Sequence, residues 1–314
     1  MSVKHLPSTI KQLLTLRNPH TLPPPSPQRL HGVLTSTYRT ALNRNATTAW
    51  LVLAACTLTT VNRPSTVAQL YRFVRPHVAA DTHPRSVAAS SSIGEAVNKS
   101  ALIREAILKS VIFVGVPRVI LSFTALDEAL DPDVKAALRT VSRRRVPIEV
   151  AYASRFLMRS SRDASPENVE ATVERGKALW RSIYTPHAEK LHDKLGSYHP
   201  DFISFIIQAY GTVLSPLPGQ TKCSAEHSDL QDPNQGNLSR AMGSVVGIAC
   251  LRAEERVVPQ LTSHVFGLLK ARDVEGKSEE DTWLATDEGT EWVIRTVDDI
   301  VDVVRQEDGV QVKL

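Results

Sequence analysis

Several features that would define a protein class at once are missing from this chain of 314 residues. It has only three cysteines, Cys56, Cys223 and Cys250, and they show no paired spacing. This usage argues against a secreted disulfide framework and favours a reducing compartment. No apolar run reaches the roughly 18–20 residues that span a bilayer, so no membrane span is expected. No glycine-rich phosphate loop is present, so nucleotide binding is not indicated.

Acidic residues are absent from the first 80 positions, although the net charge of the chain is only +4. That small excess does not indicate a nucleic-acid partner. Segment 1–18 is basic and amphipathic, as is typical of a mitochondrial import sequence, and a solvated N-terminal helix is the alternative. We expect residues 1–29 to form a basic segment with a proline-rich linker, followed by one domain over residues 30–314.

The C-terminal residues bear on location as well. Val312-Lys313-Leu314 resembles a peroxisomal address, except that valine stands where a small residue is usual. The main expectation is a mitochondrial location, with peroxisomal and cytoplasmic locations as alternatives.

Apolar residues make up 42% of the chain and recur mostly at helical spacing. No convincing set of strands is found, which predicts an all-α fold. Segment 81–98 is rich in serine and alanine and contains Pro84 and Gly94, which predicts a loop. In the helix that opens at residues 199–201, Phe202 and Phe205 are expected on the buried face, together with Ile206, Ala209 and Tyr210.

His264 is the most unusual residue chemically. It belongs to a helical hairpin over residues 237–273 and lies within the apolar stripe of the second helix. An unperturbed histidine titrates near pH 6.5, so a modest shift in its pKa would allow it to act as an acid or a base near neutral pH. A satisfied core histidine is the alternative. Cys250, in the first helix of the hairpin, is expected to be an inert core thiol.

Metal binding is poorly supported by the sequence. Cys223, Glu226, His227 and Asp229 share one stretch, but a Cys-x3-His spacing without a second ligand pair is not a zinc signature. We therefore predict neither a metal nor a cofactor.

A faint internal repeat relates two segments of the chain. Residues 67–74 match residues 258–265 at four of eight positions, and each segment follows a helix that contains an Ala-Cys pair. Chance similarity between amphipathic helices is the alternative. A genuine repeat would give two related helical halves, at about residues 30–150 and 163–304, with Phe73 in the place of His264.

Three stretches resemble carboxymuconolactone decarboxylase-like and alkylhydroperoxidase D-like (AhpD-like) proteins, in particular their fungal branch. They are Gln260–His264 with Gly267 three residues on, the HPDF motif with Tyr210-Gly211, and Arg104-Glu105 followed by Gly115-Val116-Pro117. The resemblance covers about residues 30–304. It implies an AhpD-like helical bundle, often duplicated and often assembled as a homo-oligomer, either a trimer or a hexamer.

The departures from this family are informative. Its peroxidase members use a Cys-x-x-Cys pair with a histidine four residues after the second cysteine. Here Val257 and Gln260 occupy the cysteine positions and only His264 is kept, so dithiol peroxidase activity is not expected. The decarboxylase-like members also lack these cysteines, and they retain the histidine.

The resemblance implies a small carboxylate or lactone as ligand, with His264 as the catalytic acid or base in decarboxylation or proton transfer. The substrate-binding candidates are Tyr210, Arg240, Gln260 and Glu105. Two rival hypotheses remain open at this point. The chain could be a catalytically degenerate scaffold or assembly protein, or a thiol-dependent antioxidant that acts through Cys250 or Cys223.

Overall fold

The computed structural model describes residues 7–16, 23–75, 87–139, 162, 164–219 and 235–306. Within these residues the chain forms helices and no strand, which confirms the prediction of an all-α bundle. The helices are α1 (Ser8–Leu16), α2 (Pro27–Leu42), α3 (Thr47–Thr60), α4 (Pro64–Val74), α5 (Val87–Val114), α6 (Val116–Ala129), α7 (Pro132–Ala137), α8 (Val169–Tyr184), α9 (Ala188–Tyr198), α10 (Pro200–Ala209), α11 (Arg240–Glu254), α12 (Val258–Leu269), α13 (Glu279–Leu284) and α14 (Asp287–Arg305). A π-helical turn, Tyr210–Leu214, extends α10, and a short 3-10 turn, Lys270–Asp273, follows α12.

Helices α3 and α11 pack against each other at the centre of the bundle. Both are apolar or small on nearly every side, and almost all of their side chains are buried. A helix without a polar face can only be accommodated inside a core.

Other helices pack around this central pair. Helices α5 and α14 each pack against both α3 and α11. Helix α4 leads away from α3 and packs on α6, while α12 leads away from α11 and packs on α8. The two related halves, at about residues 30–150 and 163–304, remain a prediction.

The turn between α11 and α12 shows how the hairpin is formed. Glu255 and Arg256 have φ values of 63° and 58°, in the left-handed region that ends a helix. These two charged residues therefore reverse the chain between the two helices. The reversal places the apolar stripe of α12 over the bundle.

Two expectations about local structure were wrong. The stretch over residues 81–98 was predicted to be a loop, yet α5 begins at Val87. Ala96 and Val97 of α5 are buried against Val134 and Leu138 at α7. Packing of this kind stabilises a helix that serine-rich composition alone would disfavour. Pro84 lies outside the described residues.

The buried face of α10 also differs from the prediction. Phe202 and Phe205 are 43% and 64% exposed, and Ile203 and Ile207 are buried instead. Asp201, Ser204 and Gln208 share one side of this helix, and the apolar arc that remains is wide enough to contain more than one possible buried face. The buried face of α10 is determined by its contact with α8, where Gly176 lies against the backbone of Ile207.

Candidate functional site around His264

Helix α12 holds His264 on its inner face, where only 2% of the residue is exposed. The edge of the imidazole meets the ring of Phe113 at the end of α5, with ring centroids 5.2 Å apart and an interplanar angle of 82°. Its other neighbours are the backbone of α11 and the hydroxyl of Tyr210. His264 is thus a core residue that the hairpin places between three helical elements.

Gly247 of α11 explains how the ring fits. A Cβ atom added to Gly247 would lie 2.4 Å from Nδ1 and 2.8 Å from Cγ of His264. Only glycine allows this contact, and the helix backbone therefore covers one side of the imidazole. In the described part of the chain, Nδ1 of His264 has no hydrogen-bond partner.

The other ring nitrogen faces a phenol. Nε2 of His264 lies 3.5 Å from the Tyr210 hydroxyl, which in turn is 3.0 Å from the Tyr184 hydroxyl. We assign the proton to Nε2, because a buried N–H without an acceptor costs more than a buried lone pair without a donor. In this assignment His264 donates to Tyr210, and the chain of polar groups ends at Tyr184.

The position of Tyr210 depends on a close approach between two elements. Tyr210 begins the π-helical turn, and Gly211 follows it in contact with α8. A Cβ atom on Gly211 would lie 1.9 Å from the carbonyl oxygen of Thr172. Inserted π turns often occur at functional positions, and here the turn directs a phenol toward the imidazole.

Arg240 completes the cluster at the start of α11. Its guanidinium donates to the Ser182 hydroxyl (3.1 Å), the Ser244 hydroxyl (2.6 Å) and the Gly267 carbonyl (3.2 Å). Among the described residues it forms no ion pair with a carboxylate. Its positive charge is therefore stabilised by hydrogen bonds to neutral groups alone.

The pKa values in the cluster follow from this environment. Burial first, and the charge of Arg240 second, lower the pKa of His264 to about 3. Burial lowers the pKa of Arg240 to about 10, and it raises the pKa of Tyr210 well above its ordinary value. The imidazole and the phenol are consequently both neutral at physiological pH.

The two remaining candidates lie elsewhere. Gln260 is exposed, one turn before His264 on α12. Glu105 is buried on α5, two helical turns before Phe113, and belongs to a separate cluster. Of the residues proposed from the sequence, the structure brings together His264, Tyr210 and Arg240 only.

The Glu105 cluster contains a residue that sequence analysis did not identify as functional. Lys109 is completely buried, and its ammonium group donates to the carbonyls of Val213, Leu214 and Ser215 at 2.8, 2.8 and 2.9 Å. Glu105 lies 3.4 Å from the same nitrogen. Burial lowers the pKa of Lys109 to about 8, and Glu105 opposes that shift. The only sequence signal was a lone lysine on an apolar helical face.

Two cysteines meet in the core. Cys56 of α3 and Cys250 of α11 are fully buried near each other, and the Cys56 thiol donates to the carbonyl of Ala106 at 3.6 Å. Burial raises the pKa of the Cys56 thiol well above its ordinary value. Burial acts in the same direction on Cys250, but interactions with Cys56, Ser110 and Thr60 outweigh it and lower the pKa of that thiol. A thiol in this position is shielded from peroxide, so the geometry does not favour the antioxidant hypothesis. Cys223 lies outside the described residues.

Potential metal ligands are scattered over the bundle. No group of three or more of them converges within the ranges that the structure describes. None of the helices in those ranges combines the length and apolar character needed to cross a membrane.

Comparisons with family models, curated proteins and solved structures found no match to this chain. The class that the structure defines is an all-α helical bundle. The carboxymuconolactone decarboxylase-like and AhpD-like assignment remains a prediction from the sequence.

Proposed function

We propose that this chain is a non-enzymatic assembly protein, a degenerate member of the carboxymuconolactone decarboxylase-like group that it resembles. The observation that carries the proposal is the enclosure of His264. The ring is 2% exposed, and the backbone at Gly247 covers the side of Nδ1. A general acid or base works best with a pKa near the operating pH, whereas the pKa of His264 is lowered to about 3.

Assembly is supported by exposed aromatic residues at the corner between α9 and α10. Tyr198, Phe202 and Phe205 are all exposed and lie within two helical turns of one another along the chain. Aromatic side chains that gather at a surface are typical of protein contacts. The resemblance implies a trimer or hexamer, and a second copy of this chain is the partner that we propose.

The assembly proposal is tested by light scattering coupled to size-exclusion chromatography. The wild-type chain should elute as an oligomer, and the double variant Phe202→Ser, Phe205→Ser should shift to the monomer mass. Phe266→Ser removes a phenylalanine from α12 whose exposure lies between those of Phe202 and Phe205, and it should leave the oligomer intact. A monomeric wild-type chain would refute the proposal.

A second candidate function, acid–base chemistry on a small carboxylate or lactone, is favoured by one observation. Arg240 is a largely buried guanidinium whose described hydrogen bonds go to neutral groups only. A carboxylate is the usual partner of such a group. A bound carboxylate would also offset the charge of Arg240, which is the second cause of the low pKa of His264.

Turnover of the carboxylated lactone for which the family is named separates these two candidates. An enzyme should release carbon dioxide, and His264→Gln should abolish the release while circular dichroism shows a folded chain. A non-enzymatic protein should give no release with the wild type. Activity that is lost in both His264→Gln and Arg240→Gln would establish the second candidate over the first.

A further inference from the structure

A pocket with a volume of about 210 Å³ lies between α8, α9 and α10, and we call it the α8–α10 pocket. Its apolar lining comes from Val173 and from the buried side chains of Trp180 and Ile207. The indole N–H of Trp180 donates to the carbonyl of Ala188 at 3.1 Å, which ties α8 to the start of α9. The apolar lining therefore belongs to the fixed part of the bundle.

The polar lining of the pocket carries charges of both signs. Lys177 and Arg181 come from α8, and Glu189 and His192 come from α9. Lys177 is already paired with Glu174 at 2.7 Å. This mixture does not select a strongly charged ligand. Apolar groups surrounded by polar ones are instead typical of protein contacts, and a guanidinium such as that of Arg181 packs well on the face of an aromatic ring.

Phe205 projects from the same helix that forms one wall of the pocket. Ser204 and Gln208 line the pocket one helical turn apart on α10. Phe205 lies three residues before Gln208, and residues at that spacing are neighbours on a helix surface. The phenyl group is 64% exposed and does not line the pocket of its own chain. An exposed aromatic side chain and an apolar pocket are thus adjacent on one surface.

The size of the pocket favours a single side chain as its occupant. Pockets for drug-sized ligands occupy about 300–1,000 Å³, which is more than this one offers. One aromatic side chain from another copy is a closer match, and aromatic rings bury a large apolar area when they enter such a site.

We propose that Phe205 of one copy inserts into the α8–α10 pocket of a second copy, and that the second copy returns the contact across a two-fold axis beside α10. This inference rests on the proposed assembly function and names the contact that holds two copies together. A side chain and a pocket that are adjacent on one helix suit an isologous contact, in which each copy fills the other. The contact therefore predicts a dimer, or a hexamer that contains two-fold axes, and not an isolated trimer.

Site-specific photo-cross-linking of the full-length chain tests this contact. Light chains that carry benzoylphenylalanine at position 205 are mixed with isotopically heavy chains and allowed to exchange subunits. They should form light–heavy cross-links to residues 173–181 or 204–208. The mixed isotope pattern separates contacts between copies from contacts within one chain. The same photoreactive group at position 266, where the native phenylalanine is also exposed, should give no such cross-link.

Filling the pocket provides a second test that leaves Phe205 in place. Gln208→Trp puts an indole at the pocket and should raise the concentration at which half of the oligomer dissociates by about ten-fold or more. Gln260→Trp makes the same change at an exposed position of α12 and should assemble like the wild type. Circular dichroism checks that both variants are folded.

The possible outcomes separate this contact from assembly as such. An oligomer with the mass of a trimer, with cross-links from position 205 to other surfaces only, or with wild-type dissociation in Gln208→Trp would overturn the contact and leave assembly standing. A wild-type chain that stays monomeric at every concentration would overturn assembly, and the contact with it.

Discussion

His264 and Lys109 are both buried titratable residues, yet their surroundings favour opposite charge states. Three carbonyls and Glu105 surround the ammonium group of Lys109, and its pKa falls only to about 8. His264 has no acidic partner among the described residues and lies near Arg240, and its pKa falls to about 3. Charging this imidazole at neutral pH would cost roughly 5 kcal/mol. The contrast supports a structural role for His264 in the neutral form.

The contact between Gly247 and His264 can be tested by adding one methyl group. Gly247→Ala would place Cβ 2.4 Å from Nδ1 in a site without free space, so we expect a loss of about 2–4 kcal/mol in the free energy of unfolding. Gly32 lies in α2, and nothing lies within 4 Å of the position that a Cβ atom would take there. Gly32→Ala should therefore raise stability by about 0.5–1 kcal/mol. Urea denaturation of both variants measures the difference, and equal stability would contradict the packing at His264.

Glu280 provides a prediction about pH. Its carboxyl accepts the backbone N–H of Ala49 at 2.7 Å, near the start of α3, and burial raises its pKa to about 7. The folded state therefore holds a proton that the unfolded state releases above its ordinary pKa of 4.5. As a result, this residue should lower the free energy of unfolding by about 3 kcal/mol as the pH rises from about 4.5 to 7.

Glu280→Gln should remove this pH dependence, because an amide oxygen can still accept the bond from Ala49 but does not titrate. Glu279→Gln, at the exposed neighbouring position, should keep the wild-type slope. The measurement is urea unfolding at a series of pH values. A Glu280→Gln slope that equals the wild-type slope would show that this carboxyl titrates normally.

At the scale of elements, α8 and α10 meet backbone to backbone. A Cβ atom on Gly176 would lie 2.0 Å from the carbonyl oxygen of Ile207. A backbone carbonyl cannot move aside as a flexible side chain can, so Gly176→Ala should cost more than about 3 kcal/mol. Gly196→Ala in α9 meets only a side-chain methyl at 3.8 Å and should be tolerated. Thermal unfolding of the two variants tests the crossing, and similar midpoints would contradict it.

The same crossing shows what the sequence could and could not predict about elements. The helical period was sufficient to place α11 and α12, because their apolar residues recur at regular spacing. It failed for the buried face of α10, where Phe202 and Phe205 compete with Ile203 and Ile207. That choice depends on Gly176, a residue far away in sequence, and a local pattern contains no information about such a contact.

At the scale of the whole molecule, the candidate site was only partly predictable. His264 lies 3.5 Å from the Tyr210 hydroxyl, and Arg240 is close enough to lower the pKa of His264, because the hairpin and the π-helical turn converge in the core. The enclosure of the ring depends on Gly247, and the second polar cluster depends on Lys109. Both are tertiary contacts between separate helices, and neither residue type indicates such a role by itself.

The neutral, enclosed state of His264 is the central claim about this molecule, and NMR can measure that state. A pH titration of the imidazole signals in the assembled, full-length chain would follow His264, with His264→Gln identifying its signal. We predict that the signal stays at the neutral position between about pH 5 and pH 8, because the pKa is lowered to about 3. A titration midpoint near pH 6–7 would contradict the claim and support acid–base chemistry at this residue.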